Sequence, residues 1–233
     1  MHRLATKLSG PILLAPIVHG DERGFFQETY RRDAFARLGL DDELVQHNHS
    51  RSKQGIVRGM HYQPGMGKLV RCVRGAIFDA VADVRRGSPT FGRWEAFELS
   101  DVNHHQIYCP SGFAHGFCVL SEVADVVYGC TTYYDPEVEG GFRYDDPEVG
   151  IAWPSGVPLT ASARDSGAPL LSEIAEMLPF EYIAQRAPVG AQQDSVSSGY
   201  KLCTAQPAEA AAERRRDATD SPGARAGPTS PGT

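Results

Sequence analysis

Residues 55–75 read Gly55-Ile-Val-Arg58-Gly-Met-His61-Tyr62-Gln63-Pro-Gly-Met-Gly-Lys68-Leu69-Val-Arg-Cys72-Val73-Arg-Gly75. Two apolar runs, Ile56–Val57 and Leu69–Val73, have strand composition, and between them stand Arg58, His61, Tyr62, Gln63 and Lys68. An ordinary strand face is filled with aliphatics. Reactive polar groups wedged between two strands therefore point to a pocket lined from inside a sheet.

Further along, Pro110-Ser-Gly112-Phe-Ala-His115 puts a second histidine after a Pro/Gly turn. The spacing of Gly55, His61, Gln63, Lys68 and Gly75 resembles the first signature of the cupin barrels, and the stretch 110–115 resembles the second. In a metal-binding cupin the first signature carries His, His and Glu. This chain has His61, Gln63 and Lys68 there, and Val119 where the second signature usually ends in Asn. A cation in place of a carboxylate repels a divalent metal and attracts an anion. The expectation is a barrel that has exchanged metal chemistry for acid–base chemistry, with no metal and no cofactor.

The chain has 233 residues and a formal net charge of -6, which gives no basis for a nucleic-acid partner. Five cysteines, Cys72, Cys109, Cys118, Cys130 and Cys203, include no C-x-x-C pair. Four of them lie in apolar strand-like runs and read as reduced, buried thiols, which fits a cytoplasmic protein. No stretch approaches the roughly 18 apolar residues of a membrane span, and the start of the chain lacks the apolar region of a signal peptide.

Taken in order, Pro11–Val18 reads as a strand ending in a turn at His19-Gly20-Asp21-Glu22, and Arg23–Tyr30 as the next strand. Arg32–Leu38 is a short helix candidate with Gly39 at its end. Leu44–Ser50 alternates, placing Gln46, Asn48 and Ser50 on one strand face. Ala76–Val84, Trp94–Leu99 and several runs between Gln106 and Thr132 are further short strands broken by Gly and Pro, the pattern of a jelly-roll sandwich or barrel. Pro169–Phe180 reads as a helix with Leu171, Ile174 and Leu178 on one face and Ser172 as its cap. From 186 to 233 the composition turns to Ala, Pro, Gly and Ser, too poor in apolar bulk to offset ordering entropy. The expected organisation is an all-β, cupin-type jelly-roll domain over 1–185, with short peripheral helices and a disordered tail.

In sequence order, D-E-R-G-F-F-Q-E, Q-H-N-H-S, V-R-G-M-H-Y-Q, G-K-L-V-R-C, S-P-T-F-G-R-W, S-G-F-A-H-G-F and V-V-Y-G-C-T-T-Y-Y resemble the dTDP-4-dehydrorhamnose 3,5-epimerases over residues 11–180. The resemblance implies a metal-free homodimer that exchanges its Arg23–Tyr30 strand with a partner subunit. The activity it implies is inversion of C3 and C5 of a dTDP-4-keto-6-deoxyglucose, on the way to dTDP-L-rhamnose. Inversion beside a ketone needs a base on one face, a proton donor on the other, and something to stabilise the enolate between. By resemblance, His61 is the base, Asp165 orients it, Tyr128 is the opposite donor and Lys68 faces the enolate oxygen. Tyr134 stacks on the thymine. Arg23, Phe26 and Glu28 contact the nucleotide, Gln46 and Asn48 offer amide hydrogen bonds, Arg58 and His115 hold the sugar and phosphate end, and Glu139 and Arg164 supply further contacts.

Each of these residues has a blander alternative: aromatics on strands are commonly core, and Asp165 alone reads as a turn cap. Two departures from the family bear on the sugar pocket, the short Gln63–Lys68 connection and Gly129 where a Lys is frequent. The nearest rival, which the sequence does not separate, is an epimerase acting at C3 or C5 alone. A metal-dependent cupin oxygenase or isomerase is opposed by the missing metal partners of His61 and His115, and a silent nucleotide-sugar binder by the set His61, Tyr128 and Lys68.

Overall fold

The computed structural model describes residues 1–184. Strands β1 (His2–Leu4) and β2 (Ile12–Ala15) pair antiparallel, and β3 (Val18–Asp21) and β4 (Gly24–Gln27) close a separate hairpin. Helix α1 (Arg32–Ala36) leads to β5 (Gln46–Lys53), β6 (Val57–Tyr62), β7 (Lys68–Arg74), β8 (Ala76–Asp83) and β9 (Trp94–Ser100). Then follow β10 (Gln106–Cys109), β11 (Phe113–Val119), β12 (Val123–Cys130) and the two-residue β13 (Gly140–Gly141). Two single-turn helices, α2 (Ala163–Ser166) and α3 (Leu171–Ile174), and a 3₁₀ turn at Ala175–Met177 complete the described chain.

The strands form two antiparallel sheets, one in the order β1-β2-β10-β7-β12-β5 and one in the order β13-β6-β11-β8-β9. Alternation along each strand decides what lies between them. Leu13, Val70, Cys72, Ile107 and Val126 of the first sheet meet Ile77, Val81, Leu99, Phe117 and Val119 of the second, all buried. The outer face of the second sheet is covered by residues 142–180, where Phe142, Ile151, Leu171, Leu178 and Phe180 pack on Met60, Ala80, Ala82 and Ala114. The outer face of the first is covered by α1 and its flanks: Phe35 and Leu40 pack on Ile12, Leu14, Leu69 and Tyr108. This is the jelly-roll sandwich that the strand pattern predicts.

Four details differ from the sequence reading. The first strand stops at Ala15, before Pro16, which has no N–H to give a ladder. The residues read as a turn, His19-Gly20-Asp21, instead pair with Phe26, Phe25 and Gly24, so the chain reverses at Glu22-Arg23. The strand read over Arg23–Tyr30 is accordingly only Gly24–Gln27. The helix read over Pro169–Phe180 is split into α3 and the 3₁₀ turn, because residues 180–182 are drawn out by Phe180 carbonyl and Tyr182 N–H bonds to Arg86. Its start is closed by Glu173 accepting from the Leu170 N–H, with Ser172 inside the helix rather than at its cap.

Cys72, Cys109, Cys118 and Cys130 are buried free thiols. Burial pushes the Cys109 thiol up to about 12 and the Cys72 thiol to about 11, so neither is nucleophilic. Among the described residues no helix is long and apolar enough to cross a membrane. The tail read over 186–233, and Cys203 within it, lie outside the described residues.

Candidate active site

A cavity of about 630 Å³ opens between the two sheets. Along β7 the inner face passes from Cys72 and Val70 in the core to Lys68 in the cavity, and along β12 from Val126 to Tyr128. Lys68 lies opposite Cys130, two residues beyond Tyr128, so the ammonium and the phenol share one wall. The facing wall comes from the second sheet, with Arg58 and His61 on β6 and His115 and Phe117 on β11.

Arg58 and His61 are three residues apart, and a regular strand would send them to opposite faces. They share the cavity because β6 bulges against β11: His61 pairs with His115, but Arg58 pairs with Phe117, leaving one extra residue on β6. Glycine makes the bulge possible. A Cβ on Gly59 would sit 2.5 Å from the Gly116 Cα, and Gly59 has φ +137°. Gly55, at φ +75°, has a second close approach: a Cβ there would lie 2.3 Å from the Pro158 carbonyl oxygen. That contact lets Thr160 bond Gly55 and Val57 through its backbone, which delivers α2 to the cavity.

Asp165 rides on that one-turn helix, where its N–H donates to the Ser162 Oγ at 3.1 Å. Its Oδ1 lies 2.7 Å from His61 Nε2, and the Gly59 N–H approaches Oδ2 at 3.4 Å. Burial opposes charge on this carboxylate, but the bonds from His61, Gly59 and Ser162 prevail and hold it below the usual carboxylate range. An ionised carboxylate on Nε2 fixes the ring's tautomer and leaves Nδ1 as the nitrogen free to take a proton. Tyr128 goes the other way: burial pushes its phenol up, keeping the proton it would donate. His115 is turned to Asp79, with Nε2 2.8 Å from Oδ2. Asp79 is wholly buried, and burial raises its pKa although His115 and Lys68 pull it down. Asp79 sits on β8 and was not among the residues the sequence singled out for the site. Its signal in the sequence is a carboxylate on the core face of β8, in register with Ile77 and Val81.

The rim is polar. Tyr134 and Arg164 both bond Glu139, the tyrosine hydroxyl at 3.0 Å, and all three line the cavity. Arg58 Nε donates to Ser52 Oγ at 3.0 Å. Ser50, on the strand face that alternation assigns it, also lines the cavity, as do Thr160 and Ser162, which were not foreseen because small hydroxyl residues have no distinctive spacing. Gln46 and Asn48 face inward as expected but are engaged with the protein: Gln46 bonds Asn48 and the Tyr134 N–H, and Asn48 reaches the Cys130 sulfur. Gly129 faces outward, toward Leu44 and His47, so its departure from the family pattern does not reshape the sugar pocket from within.

Five predicted residues do not line the cavity of this chain: Gln46 and Asn48, which line an adjoining pocket with Lys68, Tyr128 and Tyr134, and three on or just after the β3–β4 hairpin. Arg23 is at the tip of the β3–β4 hairpin, paired with Asp21. Phe26 is 71% exposed, and Glu28 pairs with Arg31. Among the described residues no group of three His, Cys, Asp or Glu side chains is placed to hold a metal ion.

A family model described as dTDP-4-dehydrorhamnose 3,5-epimerase matches residues 5–173. The dTDP-4-dehydrorhamnose 3,5-epimerase of Salmonella typhimurium is 45% identical over 174 residues, covering 73% of this chain and 95% of the relative. Among solved structures, the Legionella pneumophila dTDP-6-deoxy-D-glucose-3,5-epimerase in complex with dTDP-4-keto-L-rhamnose is similar at TM-score 0.75 and 44% identity, covering 78% of this chain and 99% of that one. A 4-keto-6-deoxy sugar epimerase from the novobiocin gene cluster of Streptomyces spheroides is similar at TM-score 0.74 and 42% identity, covering 77% and 93%.

Proposed function

With the chain belonging to the dTDP-4-dehydrorhamnose 3,5-epimerase family, we propose that His61 and Tyr128 carry its reaction from opposite walls of the cavity. The enzyme inverts C3 and C5 of dTDP-4-dehydro-6-deoxy-D-glucose, giving dTDP-4-dehydro-L-rhamnose. His61 Nδ1 takes the proton alpha to the C4 ketone, and the imidazolium is held by Asp165. Lys68 lies beside the developing enolate oxygen, where a fixed charge in a water-poor pocket stabilises it without reorganisation. Tyr128 returns a proton to the other face. The same cycle acts at each carbon, since both C–H groups flank one ketone. The observation that carries this reading is the placement of His61, bonded by Asp165 from α2, on one sheet and Tyr128 with Lys68 on the other.

Tyr134 contacts the thymine and Arg58 and His115 the sugar–phosphate end, with Glu139 and Arg164 closing the rim. Arg23, Phe26 and Glu28 serve a partner subunit's cavity in an exchanged homodimer. Support comes from the hairpin, which among the described residues pairs with no other strand, and from β5, which lies at one edge of its sheet. The activity resides in residues 1–185, and the buried reduced thiols suit a cytoplasmic setting.

The test is NMR of dTDP-4-dehydro-6-deoxy-D-glucose turned over in deuterated water by enzyme stripped with a chelator. Inversion and deuterium at both C3 and C5 are expected. Label and inversion at one carbon would make it a monoepimerase, and turnover that vanished with chelation and returned with one divalent ion would overturn the metal-free mechanism.

A further inference from the structure

Gln63 follows directly on β6, yet it does not line the cavity, and it is only 5% exposed. Its amide is turned to the segment after β12. Nε2 donates to the Tyr133 carbonyl at 2.9 Å, and Oε1 accepts from the Asp135 N–H at 3.0 Å. Between these two bonds the Tyr134 N–H donates to Gln46 Oε1 at 2.9 Å. Residues 133–135 are exposed and belong to no strand, so these consecutive peptide groups are held by two glutamine side chains where a sheet neighbour would otherwise stand. A primary amide carries a donor and an acceptor side by side, as a peptide group does. Methionine has the bulk without either, and glutamate has only acceptors.

We propose that Gln63 is a positioning residue for Tyr134: its amide acts as a surrogate strand that sets the Tyr134 ring against the cavity. This rests on the reading of Tyr134 as a nucleotide contact. The carbonyl and N–H that Gln63 holds flank the residue whose ring and hydroxyl line the cavity, so losing them lets the ring wander while His61, Tyr128 and Lys68, on their own strands, keep their places.

A double-mutant cycle tests it, with dTDP binding by calorimetry and steady-state kinetics on the full chain. Gln63→Met should weaken dTDP binding and raise KM about tenfold, ~1.4 kcal/mol, while kcat falls by less than KM rises. Gln63→Glu, which cannot donate to the Tyr133 carbonyl, should fail to rescue. In a Tyr134→Ala background Gln63→Met should have little further effect on dTDP affinity, because the ring it positions is gone. A Gln63→Met effect of full size in that background would overturn the positioning role alone, as would a loss of kcat at unchanged KM. Unchanged dTDP affinity in Tyr134→Ala by itself would instead overturn the nucleotide contact, and the proposal with it.

Discussion

Asp165 is a buried carboxylate kept charged by its bonds, and its partner is the candidate base. Removing the charge while keeping the shape separates the two contributions. Asp165→Asn should lower kcat by about 10²- to 10⁴-fold, the range of a base left misoriented and its cation unsupported. A change under about threefold, measured at saturating substrate, would reduce Asp165 to a helix-cap residue. The same carboxyl makes a pH prediction. Its folded pKa lies below the unfolded value, so its stabilisation is complete above the ordinary carboxylate range near pH 4 and is lost as pH falls through the folded value. Between neutral pH and pH about 3, the urea midpoint of the wild type should therefore fall further than that of Asp165→Asn, and parallel losses would contradict the assignment.

Among elements, the β6 bulge and the β3–β4 hairpin divide what the sequence discloses from what it withholds. Residue types and spacing at His61, Lys68 and His115 were enough to announce an inward-facing polar cluster. The bulge that brings Arg58 into that cluster was not legible. It depends on Gly59 meeting Gly116 from another strand, a contact more than fifty residues away in sequence. The helix read over 169–180 had genuine 3.6-residue periodicity, and its Leu171 and Leu178 are buried as predicted. Its continuity was lost to backbone bonds with Arg86, which no local pattern encodes. The hairpin is the reverse case: the family resemblance implies nucleotide contacts for Arg23, Phe26 and Glu28, and none of the three lines this chain's own cavity. If the hairpin serves a partner's cavity, Arg23→Ala removes a contact to the diphosphate, remote from the bonds that change. A charge-assisted hydrogen bond of this kind contributes about 1.5–3 kcal/mol, so KM should rise about 10- to 100-fold with kcat much less affected. Collapse of kcat at unchanged KM would place Arg23 at the reacting centre.

For the molecule as a whole, a sandwich of two sheets gives what inversion demands, a pocket with two chemically different walls. One wall carries His61, the proposed base, bonded to a carboxylate held below its usual range; the other carries the Tyr128 phenol, pushed up by burial, and Lys68. The central claim is that these walls act on opposite faces of one carbon, and deuterium wash-in separates them most directly. In His61→Asn no enolate forms, so neither label nor inversion should appear. In Tyr128→Phe, His61 still removes the proton, trades it with solvent and returns deuterium to the face it came from. The measurement is the ratio of wash-in to inversion at C3 and C5 for Tyr128→Phe, followed by NMR in deuterated water. The account predicts exchange faster than inversion by about 10², giving labelled sugar of unchanged configuration. Equal loss of exchange and inversion in Tyr128→Phe would contradict it.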